Sequence, residues 1–175
     1  MAQDRLRGGF LARVLRHRWL DESDTRKAIP PELMERLARR IAASEKRHTG
    51  EVRIYVEAGL PMSYLWRNST PRERAVAIFG KLRVWDTEDN NGVLIYLLLA
   101  EHAIEIVADR GLARHVAPNE WQSIVTRLGA ALHEGRFEDG LTQALEEVSA
   151  LLVKHFPAGE GAANVNELPD EPVIG

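Results

Sequence analysis

The chain has 175 residues, 45% of them hydrophobic and 28% charged, with 23 Lys and Arg against 26 Asp and Glu for a formal net charge of -3. That length suits one compact domain, and the near balance of charge argues against a nucleic-acid-binding protein, which would show a concentrated basic excess. There is no Cys, which excludes disulfides, thiolate metal sites and Cys nucleophiles.

Leu6, Phe10 and Val14 recur four residues apart, with Leu11 and Leu15, among Arg5, Arg13 and Arg16. This predicts a basic amphipathic helix which, with a linker, fills residues 1–29. Its expected place is against its own domain; a protein partner or an anionic membrane surface is the alternative. Arg residues interrupt the apolar run, so it does not read as a signal peptide. The longest apolar stretch, 93–100, is far short of a membrane span. The expectation is a cytoplasmic protein with no transmembrane segment, touching a membrane only peripherally.

Pro30 and Pro31 open a second helix with Leu33, Leu37 and Ile41 on one face, expected to run to about His48 and stop at Gly50. EVRIYVE alternates and predicts a half-buried strand. After a loop containing Pro61, Thr70, Pro71, Arg72 and Glu73 spell a capping box, and Ala75, Ile78, Phe79 and Leu82 supply the buried stripe of the helix behind it. WDTEDNNG, residues 85–92, then leads into GVLIYLLLA, which reads as a strand buried on both faces and therefore covered by helices on each. Glu101 and His102 form a hairpin turn, AIEIVA alternates again, and Asp109, Arg110 and Gly111 end it. Two helices follow, one gathering Trp121, Ile124, Val125, Leu128 and Leu132, the other Phe137, Leu141, Leu145, Val148 and Leu152 after a stop at Gly135. The domain is thus expected over 30–157, with an acidic extended tail over 158–175. Pro169 and Pro172 bar that tail from a helix, but Leu168, Val173 and Ile174 suit extended docking on this or a neighbouring chain.

The order strand, helix, strand, strand has a geometric consequence. A right-handed crossover makes the first two strands parallel and the hairpin makes the third antiparallel. Glu51, the 86–91 loop, Asp109 and Arg110 should then meet at one end of the sheet. Asp86, Asp89, Asn91, Asp109 and Glu51 are hard oxygen donors, matched to calcium or magnesium rather than zinc, and Arg110 is a candidate anion contact. The competing reading is a solvated turn closed by an Arg110 ion pair. The spacing is not that of an EF-hand, because Leu98 stands where its closing Glu belongs. Ligands of parallel sheets usually sit at the other, carboxyl end of the strands. No nucleophile elbow, phosphate loop or H-E-x-x-H is present. Glu45 and His48 form a second, weaker candidate pair, and Trp66, Trp85 and Trp121 read as core or lid residues.

GEVRIYVE, RAVAIFGKLRVWDTEDNNGVLIYLLLA, IEIVADRGL, Trp121 and FEDGL together resemble the TPM domain over 30–157, and the closing NELPDEPV resembles the tail of a short, unexported bacterial subgroup. The resemblance implies a three-layer α/β/α sandwich around a small mixed sheet of three or four strands. It implies calcium binding, as in some members, with Asp86 and Asp109 in the cation-associated region and Asn91 and Gly92 shaping the loop. It also implies a possible acid phosphatase activity, ascribed to the plant branch. Ala100, Glu101 and His102 depart from the Ala-Asp-Arg expected at the hairpin. The functional expectation is a divalent-cation-binding TPM-like module that acts by binding, the alternative a metal-dependent phosphomonoester phosphatase. The N-terminal helix and the tail are the surfaces for an unknown protein partner.

Overall fold

A computed structural model of the chain describes residues 12–15, 17, 22–159 and 167–175. Its elements are α1 (Glu22–Ala28), α2 (Pro31–Glu45), β1 (Val52–Glu57), α3 (Met62–Trp66), α4 (Pro71–Lys81), β2 (Val93–Leu98), β3 (Ala103–Ala108), α5 (Arg110–Ala113), α6 (Pro118–His133), α7 (Phe137–His155) and β4 (Val173–Ile174). The sheet has four strands in the order β3-β2-β1-β4. β1 and β2 are parallel from Val52 opposite Val93 to Glu57 opposite Leu98, and β3 returns antiparallel with Ala108 opposite Val93.

Alternation along the strands divides the core in two. Val52, Ile54, Val56, Val93, Ile95, Leu97 and Ile106 face α2, α6 and α7, whose Leu37, Ile41, Leu128, Leu145 and Leu152 are buried against them. Tyr55, Leu94, Tyr96 and Val107 face Leu65 of α3 and Ala75 and Ile78 of α4. Helices on both faces of a mixed sheet make the expected α/β sandwich.

The structure departs from the sequence reading locally. α2 ends at Glu45, short of His48. Helix α1 occupies what reads as linker, and α3 occupies what reads as loop. β1 is buried along its whole length rather than half-buried. The alternating Arg53, Tyr55 and Glu57 are roofed by other elements, and Glu57 is matched there by an ion pair with Arg74 of α4 and a 2.8 Å hydrogen bond from Tyr96. Burial works against the Arg74 charge, but the bond to Glu57 carries its pKa above the ordinary value. Trp66 and Trp85 are 76% and 50% exposed, so they are not core residues.

Of the N-terminal helix, residues 12–15 and 17 are helical, and the rest lies outside the described residues. Arg13 Nε donates to Glu101 Oε1 at 2.6 Å and its Nη1 to Asn68 Oδ1 at 2.8 Å. His17 Nδ1 accepts the Leu60 N–H at 2.9 Å. Its Nε2 therefore carries the hydrogen that Glu101 accepts at 2.8 Å. These contacts hold the segment on its own domain, beyond the carboxyl ends of β1 and β2. No helix among the described residues is long and apolar enough to cross a membrane.

Candidate functional site

The hairpin β2–β3 and the parallel pairing of β1 with β2 bring three chain segments to one end of the sheet. The Asp109 N–H donates to the Gly92 carbonyl at 2.8 Å, the Gly111 N–H to the Asn90 carbonyl at 2.8 Å, and the Val93 N–H to the Glu51 carbonyl at 2.8 Å. Thr49 knits the gap between α2 and the loop: its hydroxyl donates to Asp89 Oδ2 at 3.1 Å and accepts from Asn91 Nδ2 at 3.0 Å. Thr87 Oγ1 accepts the Asn91 N–H, which folds the loop back on itself. Asn90 takes φ 53°, a left-handed conformation that Asn tolerates better than most residues.

Asp109 is the N-cap of α5, with Oδ1 accepting the Arg110 N–H at 2.7 Å. Its Oδ2 is buried and has no hydrogen-bond partner among the described residues, and the same holds for Asn91 Oδ1. Such orphaned acceptors are uncommon, because a buried oxygen without a donor costs about 1–3 kcal/mol. They belong to the residues on either side of the Gly92–Asp109 backbone bond, and both are hard oxygen donors suited to calcium or magnesium. Arg110 is exposed, its Nε 3.4 Å from Asn90 Oδ1.

The remaining proposed ligands stand differently. Asp86 is exposed, and its backbone N–H closes a turn on Arg83. Glu51 is 1% exposed, its Oε1 accepts the Glu167 N–H at 3.0 Å, and its buried Oε2 has no hydrogen-bond partner among the described residues. Among the described residues no three of His, Cys, Asp and Glu stand together so as to hold a metal ion. A cation at this edge would thus rest on Asp109, Asn91 and backbone carbonyls. Thr49 is the participant that sequence reasoning missed. It lies in what reads as a helix end, and only its proximity to Asp89 and Asn91 marks it.

A second polar cluster lies beneath the tail. Glu45, Glu51 and Arg53 are all buried, and Asp170 reaches them from the tail side. Burial, then the charges of Glu51 and Asp170, push the Glu45 carboxyl up to about 9. Burial likewise raises Glu51, and it lowers Arg53. Glu45 faces this cluster, whereas His48 shares a 3.1 Å hydrogen bond with Ser149 on α7.

No curated protein matches the chain. One of seven matching chains of solved structure is the BA42 protein of the psychrophilic bacterium Bizionia argentinensis, known from NMR. It is 25% identical and superposes with a TM-score of 0.73 over 84% of this chain and 95% of its own. The family model labelled TPM_phosphatase, TPM domain, matches residues 23–151, most of the sheet and its helices. The chain belongs to the TPM domain family.

Proposed function

We propose that the protein is a divalent-cation-binding module that acts through binding at the Asn91–Asp109 edge rather than through turnover. The observation that carries this reading is the pair of buried oxygens, Asn91 Oδ1 and Asp109 Oδ2, with no donor among the described residues. A calcium or magnesium ion would complete their coordination with backbone carbonyls and water. Asp89, a further hard oxygen donor of the loop, is tied to the Thr49 hydroxyl. The binding character of the module rests on the donors at the edge, carboxylate, amide and carbonyl oxygens suited to a hard cation, with the Thr49 hydroxyl donating to Asp89.

Phosphomonoester hydrolysis is the second reading, favoured by the label of the family model and by the exposed Arg110 guanidinium beside the loop. A bound cation would supply a Lewis acid for a phosphoryl oxygen, and Arg110 would neutralise charge on the anion.

One experiment separates the readings. At a hundred times its dissociation constant a cation adds about 2.7 kcal/mol of stability, which for a chain of this size raises the melting temperature by roughly 5–10 °C. The expected result is such a rise with Ca²⁺ or Mg²⁺ in the wild type, its loss in Asp109→Asn, and no cation-dependent hydrolysis of p-nitrophenyl phosphate by either. An equal rise in Asp109→Asn, or none at millimolar cation, removes the cation site. Hydrolysis lost in Asp109→Asn establishes the second reading instead.

A further inference from the structure

Met62 and Trp66 stand one turn apart on α3 and both are exposed, Trp66 to 76%, while Leu65 between them is buried in the core. Residues 12–15 and 17 are fastened at both ends of this helix. Arg13 donates to Asn68 Oδ1 and to the Ser69 carbonyl just past its end, and His17 accepts the Leu60 N–H just before its start. Val14 packs against the core cluster that holds Leu65, and Leu15 is exposed. Each of the two pieces therefore gives one apolar side to the domain and keeps another in solvent. Leu15, Met62 and Trp66 are three of the five large apolar side chains exposed among the described residues, and these three lie together beyond the carboxyl ends of β1 and β2.

The surroundings of these side chains are basic. Residues 12–18 hold Arg13, Arg16 and Arg18, and residues 60–72 hold Arg67 and Arg72, with no acid in either stretch of a chain whose net charge is -3. Glu101, which meets them there, is taken up by Arg13 and His17. Arg67, next to Trp66, is exposed and pairs with no carboxylate among the described residues; its Nε donates to the Ser63 carbonyl at 3.2 Å, and its guanidinium carbon lies 5.1 Å from the centre of the Tyr64 ring. We propose that this end of the molecule docks on an anionic lipid surface, with Trp66, Met62 and Leu15 entering the headgroup layer and Arg67 pairing with lipid phosphate. Tryptophan, apolar in its body with one polar N–H, suits the headgroup level, and a basic residue beside it is drawn to anionic lipid. Two acid-free basic stretches fit a surface of a single sign better than a protein surface, where charges of both signs are interspersed. No helix among the described residues can span a bilayer, so the contact is shallow, reversible and weakened by salt. Docked this way, the protein keeps the Asn91 and Asp109 edge, at the amino ends of β1 and β2, away from the membrane.

Sedimentation of the full-length protein with vesicles, in the presence of EDTA, tests this apart from cation binding. The protein should sediment with mixed phosphatidylcholine and phosphatidylglycerol vesicles, stay in solution with phosphatidylcholine alone, and be released by high salt. Met62→Ala/Trp66→Ala should weaken partitioning by more than about tenfold, the scale for two large apolar side chains. Arg67→Gln should weaken it by about fivefold, and it serves if the double variant fails to fold. Trp85→Ala removes an exposed Trp at the opposite end of the sheet and should change nothing. The proposal is overturned by no binding to the anionic vesicles, by equal binding to neutral ones, by binding unchanged in the folded Met62/Trp66 or Arg67 variant, or by an equal loss in Trp85→Ala. It is also overturned by a lipid-free dimer that Met62→Ala/Trp66→Ala abolishes, because a second copy would then cover this face.

Discussion

Gly111 sets how closely α5 approaches the loop that precedes β2. A Cβ at this position would lie 2.4 Å from the carbonyl oxygens of both Asp89 and Asn90, and both are backbone atoms that cannot move aside cheaply. The same glycine donates its N–H to Asn90, so contact and hydrogen bond depend on one missing methyl group. Gly111→Ala should therefore destabilise the protein by about 1–3 kcal/mol, the usual range for overpacking. Gly80, inside α4, has nothing within 4 Å of its would-be Cβ, and Gly80→Ala should stabilise by about 0.5–1 kcal/mol through helix propensity. Urea unfolding of both variants checks the pair. Equal effects would mean that the approach of α5 is not close.

At the scale of the element, α4 is the best-specified helix. The Thr70 hydroxyl accepts the Glu73 N–H at 3.2 Å and the Glu73 carboxylate accepts the Thr70 N–H at 2.7 Å, a complete capping box, with Pro71 at the first helical position. Thr70→Ala should cost about 1 kcal/mol, and Thr70→Asp, which keeps the acceptor, should cost much less; denaturant midpoints at constant slope decide it. This helix was legible because all its signals lie within one turn. What α4 does for β1 was not legible, since Arg74 meets Glu57 from 17 positions away, across the crossover. The alternation of β1 read as one wet face. Side chains elsewhere in the chain make that face dry.

For the whole molecule, two buried groups tilt stability against pH in opposite directions. Burial, reinforced by the Arg47 charge and opposed by a Gly50 backbone bond, lowers His48 from 6.5 to about 4. Unfolded His48 binds a proton at a pH where the folded form does not, so its contribution is complete above about 6.5 and lost as pH falls through about 4. Glu45 is the reverse case, raised from 4.5 to about 9: its contribution is complete below 4.5 and lost as pH rises through about 9. Stability should thus fall on both the acid and the alkaline side. His48→Gln should flatten the acid limb in melts recorded across that window while leaving the alkaline limb unchanged. An acid limb of the same slope in the variant would assign it to other groups.

The sequence by itself determined what is local or periodic: the capped helix, the long helices α6 and α7, the three central strands and, through the crossover and hairpin, the end of the sheet at which Asp109 meets the loop before β2. It also carried the linked blocks that mark the TPM domain. Tertiary structure alone decided which of the polar residues near that end share a site. Thr49 joins Asp89 and Asn91 because α2 stops three residues earlier than its apolar pattern suggests. Glu51 accepts the N–H of Glu167 in the tail, and Asp86 stays exposed. Periodicity fixes which way a side chain points from its own element. Whether a carboxylate meets a cation, a backbone N–H or another carboxyl depends on what is packed opposite, and here those partners come from more than 40 to more than 100 positions away.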